Sequence, residues 1–355
     1  MRTATNRRLK TLALGLIPTI ALGVAISIDR IPGTDMSLTV PYAAQGPGPT
    51  VDTLSAVDGK DVVEIDGART YPTSGHLNMT TVAVRTNMTL SQAIARWLTT
   101  DDTIVPLETV IPTGSTDEEV SQRNHQAFVQ SEAAATVSAM NYLNIAVEVV
   151  VDSVLDESAA AGEVEPGDVI AAINGTAVSK PGEAQKLVRA LAPGDTVTLS
   201  LVRGGKDIDK DIVLGQHPED SALPLLGVTM TSQPADGMDV SYNLQDIGGP
   251  SAGMMFSLAV IDKLTADDLT GGHFVAGTGT IGEDGAVGPI GGIKHKVRAA
   301  RDAGAELFLA PIANCSEAMT GKPGNMQVAA VGTLSDAIAA IDAFRTGTEF
   351  PTCTP

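Results

Sequence analysis

Hydrophobic and polar positions follow different patterns along the chain, and these patterns divide its first part into segments. Residues 11–28 form an apolar run without any charge, and residues 41–50 are rich in proline and glycine. A stretch rich in proline and glycine, such as residues 41–50, is typical of an extended linker. From residue 51 to 84, β-branched residues alternate with turn residues, which predicts strands and hairpins, with one strand near 75–84. We therefore expect an apolar segment, a linker and then a β-rich region.

Apolar residues recur at helical spacing in several later segments. We expect a short helix at 90–98 and a long helix at 115–141, where a Ser-Thr pair precedes three acidic residues and suits a helix start. Two further helices are predicted at 254–264 and 295–303, and a strand-like stretch at 238–244. The mixture of strands and helices predicts an α+β fold.

The apolar run at 11–28 contains 18 residues and follows basic residues at positions 2, 7, 8 and 10. A helix that spans a bilayer needs about 20 residues, with a range of roughly 17–25. Because the basic residues lie only on the N-terminal side, the positive-inside rule places the N-terminus in the cytoplasm. We therefore expect residues 1–30 to form an uncleaved single-pass membrane anchor, with the rest of the chain outside the cytoplasmic membrane. A cleaved signal peptide and a buried core helix are the alternatives.

Residues 143–216 form a compact unit with turn signals in a defined order. Two Pro-Gly-Asp turns each enter a strand, an Asn-Gly pair predicts a hairpin, and a helix is expected at 184–191 between the hairpins. This order resembles a PDZ domain of the bacterial protease-associated type. The resemblance implies binding of an extended chain end by strand addition, with the carboxylate held by backbone amides. The carboxylate loop is expected at Tyr142, Leu143, Asn144 and Ile145, and the alternative is a packing or gating module that binds nothing.

A Gly-Pro-Ser-Ala-Gly sequence lies between the strand-like stretch and the helix that follows it. Its glycines allow a sharp turn, so that Ser251 lies near the start of a helix, where backbone N–H groups are free. Such groups stabilise the negative oxygen that forms when a carbonyl is attacked. Ser251 is therefore a candidate nucleophile, and Gly249, Pro250 and Ala252 are the candidates for the supporting turn.

A serine hydroxyl needs a base. His273 and His295 follow the serine closely, and no later histidine can complete a hydrolase triad. We therefore expect the base to be Lys294, which follows a glycine-rich turn and which an apolar pocket would keep neutral. Lys263 and Lys296 are expected to be solvated charges on helix surfaces.

Residues 227–344 resemble the proteolytic domain of the Lon family, because the Gly-Pro-Ser-Ala-Gly, Thr-Gly and Pro-Ile-Gly-Gly-Ile-Lys motifs occur in the family's order and spacing. The resemblance implies that Ser251 is the nucleophile, that Lys294 is the general base and that Thr278 orients the lysine. It also implies a homo-oligomer, a hexameric ring. With the anchor and the PDZ-like unit, the chain is similar to membrane-anchored, ATP-independent Lon-like PDZ proteases of the actinobacterial type. Gly248 stands where the family often has aspartate.

Composition narrows the remaining function classes. Lys and Arg number 23 against 42 Asp and Glu, so the net charge is −19, which excludes a dedicated nucleic-acid binder. The sequence contains no P-loop and no metal-ligand spacing, so we expect no ATP, no metal and no other cofactor. Cys315 and Cys353 are the two cysteines; outside the cytoplasm they can pair, and the alternative is two unpaired thiols.

The expected organisation is an anchor at 1–30, a linker at 31–50, a first protease segment at 51–142, the PDZ-like unit at 143–216, the main proteolytic segment at 217–345 and a tail at 346–355. The PDZ-like unit is then an insertion, and three domains in series are the alternative. The expected function is ATP-independent cleavage of extracytoplasmic or membrane-associated proteins. A catalytically silent PDZ scaffold and an α/β-hydrolase esterase are the rival functions.

Overall fold

The computed structural model describes residue 16 and residues 22–34, 36–235, 237–244 and 249–354. Most of the predicted anchor and Gly248 lie outside the described residues. Among the residues that are described, no helix combines the length and the apolarity that crossing a bilayer requires.

The larger part of the chain, from residue 42 onward, alternates between short strands and helices. The helices of this described part are α1 (Leu90–Thr99), α2 (Asp117–Leu143), α3 (Pro181–Arg189), α4 (Gly253–Leu264), α5 (Ile293–Ala303), α6 (Cys315–Thr320) and α7 (Leu334–Thr346). The strands are β1 (Tyr42–Asp52), β2 (Ala56–Val57), β3 (Lys60–Asp61), β4 (Val63–Asp66), β5 (His76–Arg85), β6 (Thr103–Pro106), β7 (Val147–Val154), β8 (Val169–Ile173), β9 (Thr176–Ala177), β10 (Thr196–Arg203), β11 (Lys206–Val213), β12 (Gly215–Gln216), β13 (Pro224–Leu225), β14 (Val228–Pro234), β15 (Asp239–Tyr242), β16 (Phe274–Gly277), β17 (Thr280–Ile281), β18 (Val287–Gly288), β19 (Leu307–Pro311) and β20 (Gln327–Val331).

The larger sheet has six strands in the order β20-β19-β16-β5-β1-β6. Strands β5, β16, β19 and β20 run parallel, whereas β1 is antiparallel to both β5 and β6. Three of these strands precede the PDZ-like unit in the chain and three follow it. One sheet therefore contains strands from both sides of the PDZ-like unit in the chain.

Strand β1 occupies residues 42–50 of the predicted linker at 31–50. Its Gly-Pro-Gly-Pro stretch pairs with β5, and the register shifts between Pro47 and Thr50. A bulge accommodates proline residues that cannot donate to a regular ladder. The linker prediction is therefore wrong for residues 42–50, because pairing with β5 outweighs the local preference of proline and glycine for loops.

The PDZ-like unit has its own sheet, in the order β11-β10-β8-β7-β14. Strand β14 lies beyond the predicted boundary at 216 and pairs with β7 from Val228↔Val154 to Pro234↔Val147. Its separate core contains Ile170, Leu199 and Leu201, all buried. The sheet of this unit therefore extends into the segment that the sequence analysis assigned to the protease.

Helix α4 is the centre of the core beside the larger sheet. Every residue from Gly253 to Lys263 in this helix is buried. It packs against Leu77, Met79 and Val275 of the larger sheet and against Phe128 of α2. Because residues 254–261 of the helix are apolar except for Ser257, this part of the helix is stable only when it is covered on all sides. The residues that precede it are thereby fixed in position.

The C-terminal tail is bound to helix α6 and strand β20. Cys353 forms a disulfide with Cys315 at the start of α6, with a Cα–Cα distance of 5.0 Å. The N–H of Ala330 in β20 donates to the carbonyl oxygen of Pro351 at 2.9 Å. Residues 351–353 therefore lie along β20, the edge strand of the larger sheet.

Candidate active site

Ser251 lies in a 3₁₀ turn, Pro250–Ala252, that leads directly into α4. Gly249 before the turn has φ 93°, a left-handed conformation that favours glycine, and proline suits the first position of the turn. The N–H groups of Ser251 and Ala252 are at the start of the helical segment, where they have no acceptor one turn earlier. The turn therefore presents a hydroxyl beside two N–H groups, as the sequence pattern predicts.

Helix α2 holds this turn from the other side. The N–H of Gly249 donates to the carbonyl oxygen of Asn124 at 2.9 Å. The hydroxyl of Ser131 donates to the carbonyl oxygen of Pro250 at 3.1 Å. Helix α2 begins with a capping box, in which Thr116 and Glu119 bond to each other's backbone N–H. Helix α2, which precedes the PDZ-like unit in the chain, thus positions the serine turn. The sequence pattern did not predict this contact.

The lysine at the serine is Lys296. Its Nζ lies 2.7 Å from Oγ of Ser251 and 2.8 Å from Oγ1 of Thr278. The residue is 3% exposed, and this burial lowers the pKa of Lys296 to about 7. Among the described residues, no acidic side chain is a hydrogen-bond partner of Lys296, so no opposite charge there offsets the cost of burying its ammonium form. The amine therefore has the hydrogen-bond contact and the protonation equilibrium that a base near neutral pH requires.

The prediction that Lys294 reaches the serine is wrong. Helix α5 begins after Gly292, and its buried face contains Ile293, Lys296 and Val297, at i, i+3 and i+4. Lys294 is 200° away from Lys296 around the helix at 100° per residue, and it is only half-buried. The expectation that Lys296 is a solvated surface charge is wrong for the same reason, since its neighbours on that face are core residues.

Thr278 lies where it can orient the lysine. The Thr278 hydroxyl donates to the carbonyl oxygen of Ser251 at 3.0 Å. Because a hydroxyl has one hydrogen, Thr278 can then only accept from Lys296. A neutral amine that donates to Thr278 has its lone pair free for the proton of Ser251. The N–H of Gly279 also donates to the carbonyl oxygen of Ser251 at 2.9 Å, so the nucleophile's backbone is fixed twice.

A cavity of about 550 Å³ lies in front of the pair. One wall is formed by β1 and β5, another by the serine turn and a third by the loop before α5. The lining residues are Pro49, Met79, Thr80, Thr81, Val82, Gly249, Pro250, Ser251, Ala252, Thr280, Pro289, Ile290, Gly291 and Lys296. This volume is within the range of small-molecule and peptide side-chain sites. All four predicted residues of the serine turn border it.

The histidines that follow the serine have other partners. His295 Nε2 lies 3.1 Å from Oγ1 of Thr103, and His273 Nδ1 lies 3.1 Å from a carboxylate oxygen of Glu306. Burial lowers the pKa of His295 to about 4. Neither histidine is positioned to act on Ser251, which removes the geometric basis for a serine–histidine esterase.

Lys263, which was expected to be solvated, is also buried. It is 8% exposed, and its Nζ lies 2.9 Å from a carboxylate oxygen of Asp61. It lies near the end of α4, three turns away from Ser251.

The residues that the structure describes contain no cluster of three side chains suited to a metal ion.

A second cavity, of about 190 Å³, lies in the PDZ-like unit between α3 and β14. Its walls are mainly apolar, and residues 224–227 close one end before β14 begins. In the described part of the chain, β14 has β7 as its one paired neighbour in the sheet. An extended chain end could therefore add to the other edge of β14.

The predicted carboxylate loop at residues 142–145 is not at this groove. Tyr142 and Leu143 are the last residues of α2, and Asn144 ends the helix in a left-handed conformation with φ 55°. Leu143 and Ile145 pack against the protease core. The predicted loop precedes the first strand of the unit, whereas the loop that borders the cavity with α3 is residues 224–227, before the last strand, β14.

Two segments of the chain match known protein families. Residues 120–214 match the PDZ domain, and residues 246–339 match the Lon protease (S16) C-terminal proteolytic domain. A Lon protease of Campylobacter concisus is 37% identical over 94 residues, which is 25% of this chain and 11% of that protein. Lon protease 2 of Bacillus subtilis is 32% identical over 116 residues, 31% of this chain and 20% of that protein.

Further similarities concern the PDZ-like unit. A probable periplasmic serine endoprotease DegP-like of Rhizobium meliloti is 34% identical over 85 residues, 24% of this chain and 17% of that protein. The crystal structure of the PDZ domain of an SdrC-like protein from Listeria monocytogenes is 31% identical, covers 23% of this chain and 85% of that one, and has a TM-score of 0.22. The matched segments span between 11% and 20% of the length of these curated relatives.

Proposed function

Since this chain carries a Lon-type serine protease domain and a PDZ domain, we propose that it is an endopeptidase that cleaves protein substrates with a Ser251–Lys296 dyad. The observation that carries the proposal is the 2.7 Å contact between Nζ of Lys296 and Oγ of Ser251. A lysine with a pKa of about 7 is neutral in about half of the molecules at pH 7. The same residue with its ordinary pKa could not accept a proton at this pH.

In the proposed reaction, neutral Lys296 accepts the proton of Ser251 while Oγ attacks the carbonyl carbon of the scissile peptide bond. The N–H groups of Ser251 and Ala252 donate to the oxyanion that forms. Protonated Lys296 then donates its proton to the leaving amine, which departs as the C-terminal fragment. Water, activated by the same lysine, hydrolyses the acyl-enzyme and restores the serine.

The dyad is tested with a serine-reactive probe and a quenched peptide substrate. Ser251→Ala and Lys296→Arg should abolish both labelling and cleavage, and all variants should keep the wild-type circular dichroism spectrum. Lys294→Arg is the matched control, because it changes a neighbouring lysine on another face of α5, and it should keep both signals. Labelling that survives Lys296→Arg at full strength would contradict the dyad.

We further propose that cleavage needs no ATP, because the sequence contains no P-loop to bind it and the hydrolysis itself consumes only water. The purified chain should cleave an unfolded protein at the same rate with and without ATP and Mg²⁺. Strict dependence on nucleotide would contradict this part of the proposal and would leave the dyad untouched.

The PDZ unit is proposed to recruit substrates through an apolar chain end in the groove between α3 and β14. Met230 and Val188 line this groove. Met230→Lys should raise KM for a protein substrate and leave kcat/KM for a short peptide unchanged, since the peptide enters the active-site cavity directly. Val213→Lys is the control, because Val213 is 61% exposed on the same unit and does not line the groove.

Residues 11–28 are proposed to anchor the chain, with its catalytic part outside the cytoplasmic membrane. The basic start supports this orientation, and the Cys315–Cys353 disulfide fits an oxidising compartment. In cells stripped of their wall, added protease should digest the catalytic part and spare an N-terminal epitope tag.

Light scattering on the solubilised chain tests the hexameric ring that family resemblance implies.

A further inference from the structure

Helix α1 presents its large apolar side chains to solvent. Leu90, Ile94, Trp97 and Leu98 are spaced i, i+4, i+7 and i+8, so they form one stripe about 100° wide. Their exposed fractions are 42%, 42%, 68% and 67%. The buried residue of this helix is Ala93, which packs beside Met88 and Ala44 of a small cluster. The fold of the described residues thus covers the small side chain and leaves the large ones uncovered.

A second exposed apolar surface lies directly beside this stripe. The N–H of Ser91, in the first turn of α1, donates to the carbonyl oxygen of Ile26 at 2.9 Å. Leu22 and Val24 belong to a helical turn just before Ile26, and they are 63% and 52% exposed. This turn is the end of the apolar run at 11–28. The two surfaces therefore meet where the chain would leave a bilayer.

We propose that the stripe of α1 lies in the surface layer of a lipid bilayer, next to Leu22 and Val24 in the last part of the anchor. This inference rests on the proposed anchoring and is independent of the proposed catalysis. Large apolar side chains and a tryptophan on one helix face are the composition that buries into the boundary between headgroups and acyl chains. Because α1 packs beside β1 through Ala93, docking of the stripe would fix the orientation of the protease sheet relative to the membrane.

Charge indicates what kind of lipid surface is involved. Arg96 is the basic residue of α1, and it is already paired with Asp102 at 2.7 Å. The chain as a whole carries a net charge of −19. Attraction to anionic lipids therefore does not drive docking, and burial of apolar area does. We expect docking on electrically neutral phosphatidylcholine, with little dependence on salt concentration.

Trp97 is the only tryptophan of the chain, so its fluorescence reports on this face alone. The full chain is reconstituted into phosphatidylcholine vesicles with and without brominated acyl chains, and association is checked by flotation. We expect emission at shorter wavelength than in urea-unfolded protein, and a clear loss of intensity with brominated lipid. Ile94→Glu combined with Leu98→Glu should remove the quenching, whereas Val213→Glu, an exposed substitution on the PDZ unit, should keep it.

Flotation and Trp97 quenching together distinguish docking of α1 from the proposed anchor and from the proposed catalysis. Flotation without quenching of Trp97 overturns the docking and leaves the anchor intact, and absence of flotation overturns both. A shift to shorter wavelength that grows with protein concentration and shows no quenching means that a second copy covers the stripe. A shift that is independent of both concentration and lipid means that residues 11–21 of the same chain cover it. Either result overturns docking, and peptide cleavage in solution is unaffected throughout.

Discussion

The protonation state of Lys296 leads to a quantitative prediction about how activity depends on pH. Burial lowers its pKa from 10.5 to about 7. A difference of about 3.5 units corresponds to about 5 kcal/mol in favour of the neutral amine, at ~1.36 kcal/mol per unit. At pH 7 the neutral fraction is then about one half, whereas a lysine with its ordinary pKa would be neutral in roughly one molecule in 3,000. Burial therefore increases the reactive population about 1,500-fold by the same relation.

The assay is kcat/KM for a peptide substrate between pH 5 and pH 9, because this ratio reports the pKa values of the free enzyme. Below pH 7, Lys296 gains a proton and cannot accept another, so activity should fall about tenfold per pH unit. Above pH 7 it should level off. The loss at low pH should reverse on return to pH 8, since it reflects protonation of one amine.

Substitution distinguishes this lysine from its neighbour. Lys296→Arg keeps a charge that no ordinary buffer removes, so it should be as inactive as Ser251→Ala at every pH. Lys294→Arg should keep the wild-type pH profile. The reasoning is refuted if activity rises only near pH 10, because burial would then not have shifted the pKa. It is also refuted if Lys294→Arg is the inactive variant.

Three further predictions concern the surroundings of the dyad. Thr278→Val should lower kcat about 10–100-fold, the equivalent of ~1.5–3 kcal/mol for a hydrogen bond to a charged group, and Thr278→Ser should restore most of the rate. Lys296→Met should raise the melting temperature more at pH 6 than at pH 10. Between about pH 7 and 10.5, Lys296 is protonated in the unfolded chain and neutral in the folded chain, so the free energy of unfolding rises with pH. Burial of Lys296 therefore destabilises the fold most below pH 7, and this effect disappears towards pH 10.5. Reduction of the Cys315–Cys353 disulfide should lower the melting temperature, by the equivalent of ~2–4 kcal/mol, with much less effect on peptide cleavage; equal melting curves with and without reductant would contradict it.

Local signals predicted five of the seven helices α1–α7, whereas α6, α7, β19 and β20 lie in a part of the chain for which no element was predicted. The predicted long helix at 115–141 corresponds to α2 at Asp117–Leu143, because its capping box and acidic first turn are encoded within four residues. The predicted strand near 75–84 corresponds to β5 at His76–Arg85. Ser251 was identified by glycine and proline in a turn before an apolar helix, which is again local chemistry. The resemblance to the Lon family is likewise carried by short motifs.

The choice between the two lysines was within reach of the sequence. Ile293, Lys296, Val297 and Ala300 form an i, i+3, i+4, i+7 pattern, which is one face of a helix. The three apolar members of that pattern predict that Lys296 is on the buried face. Lys294 was chosen because it follows the glycine-rich turn. That position is a weaker criterion for the base, because it does not indicate which face of the helix the side chain is on.

Long-range contacts decided what remained. Pairing of β1 with β5 turned the expected linker into a strand, and pairing of β14 with β7 moved the groove of the PDZ unit away from residues 142–145. The approach of Lys296 to Ser251 joins residues that are 45 positions apart. It depends on the packing of α4 with Val275 of β16 and of α5 with Ala276 of β16. Periodicity states which face of an element is buried. The partner of each buried side chain is decided only when the elements pack against one another. Such contacts join distant parts of the chain, and separation in sequence does not indicate distance in space.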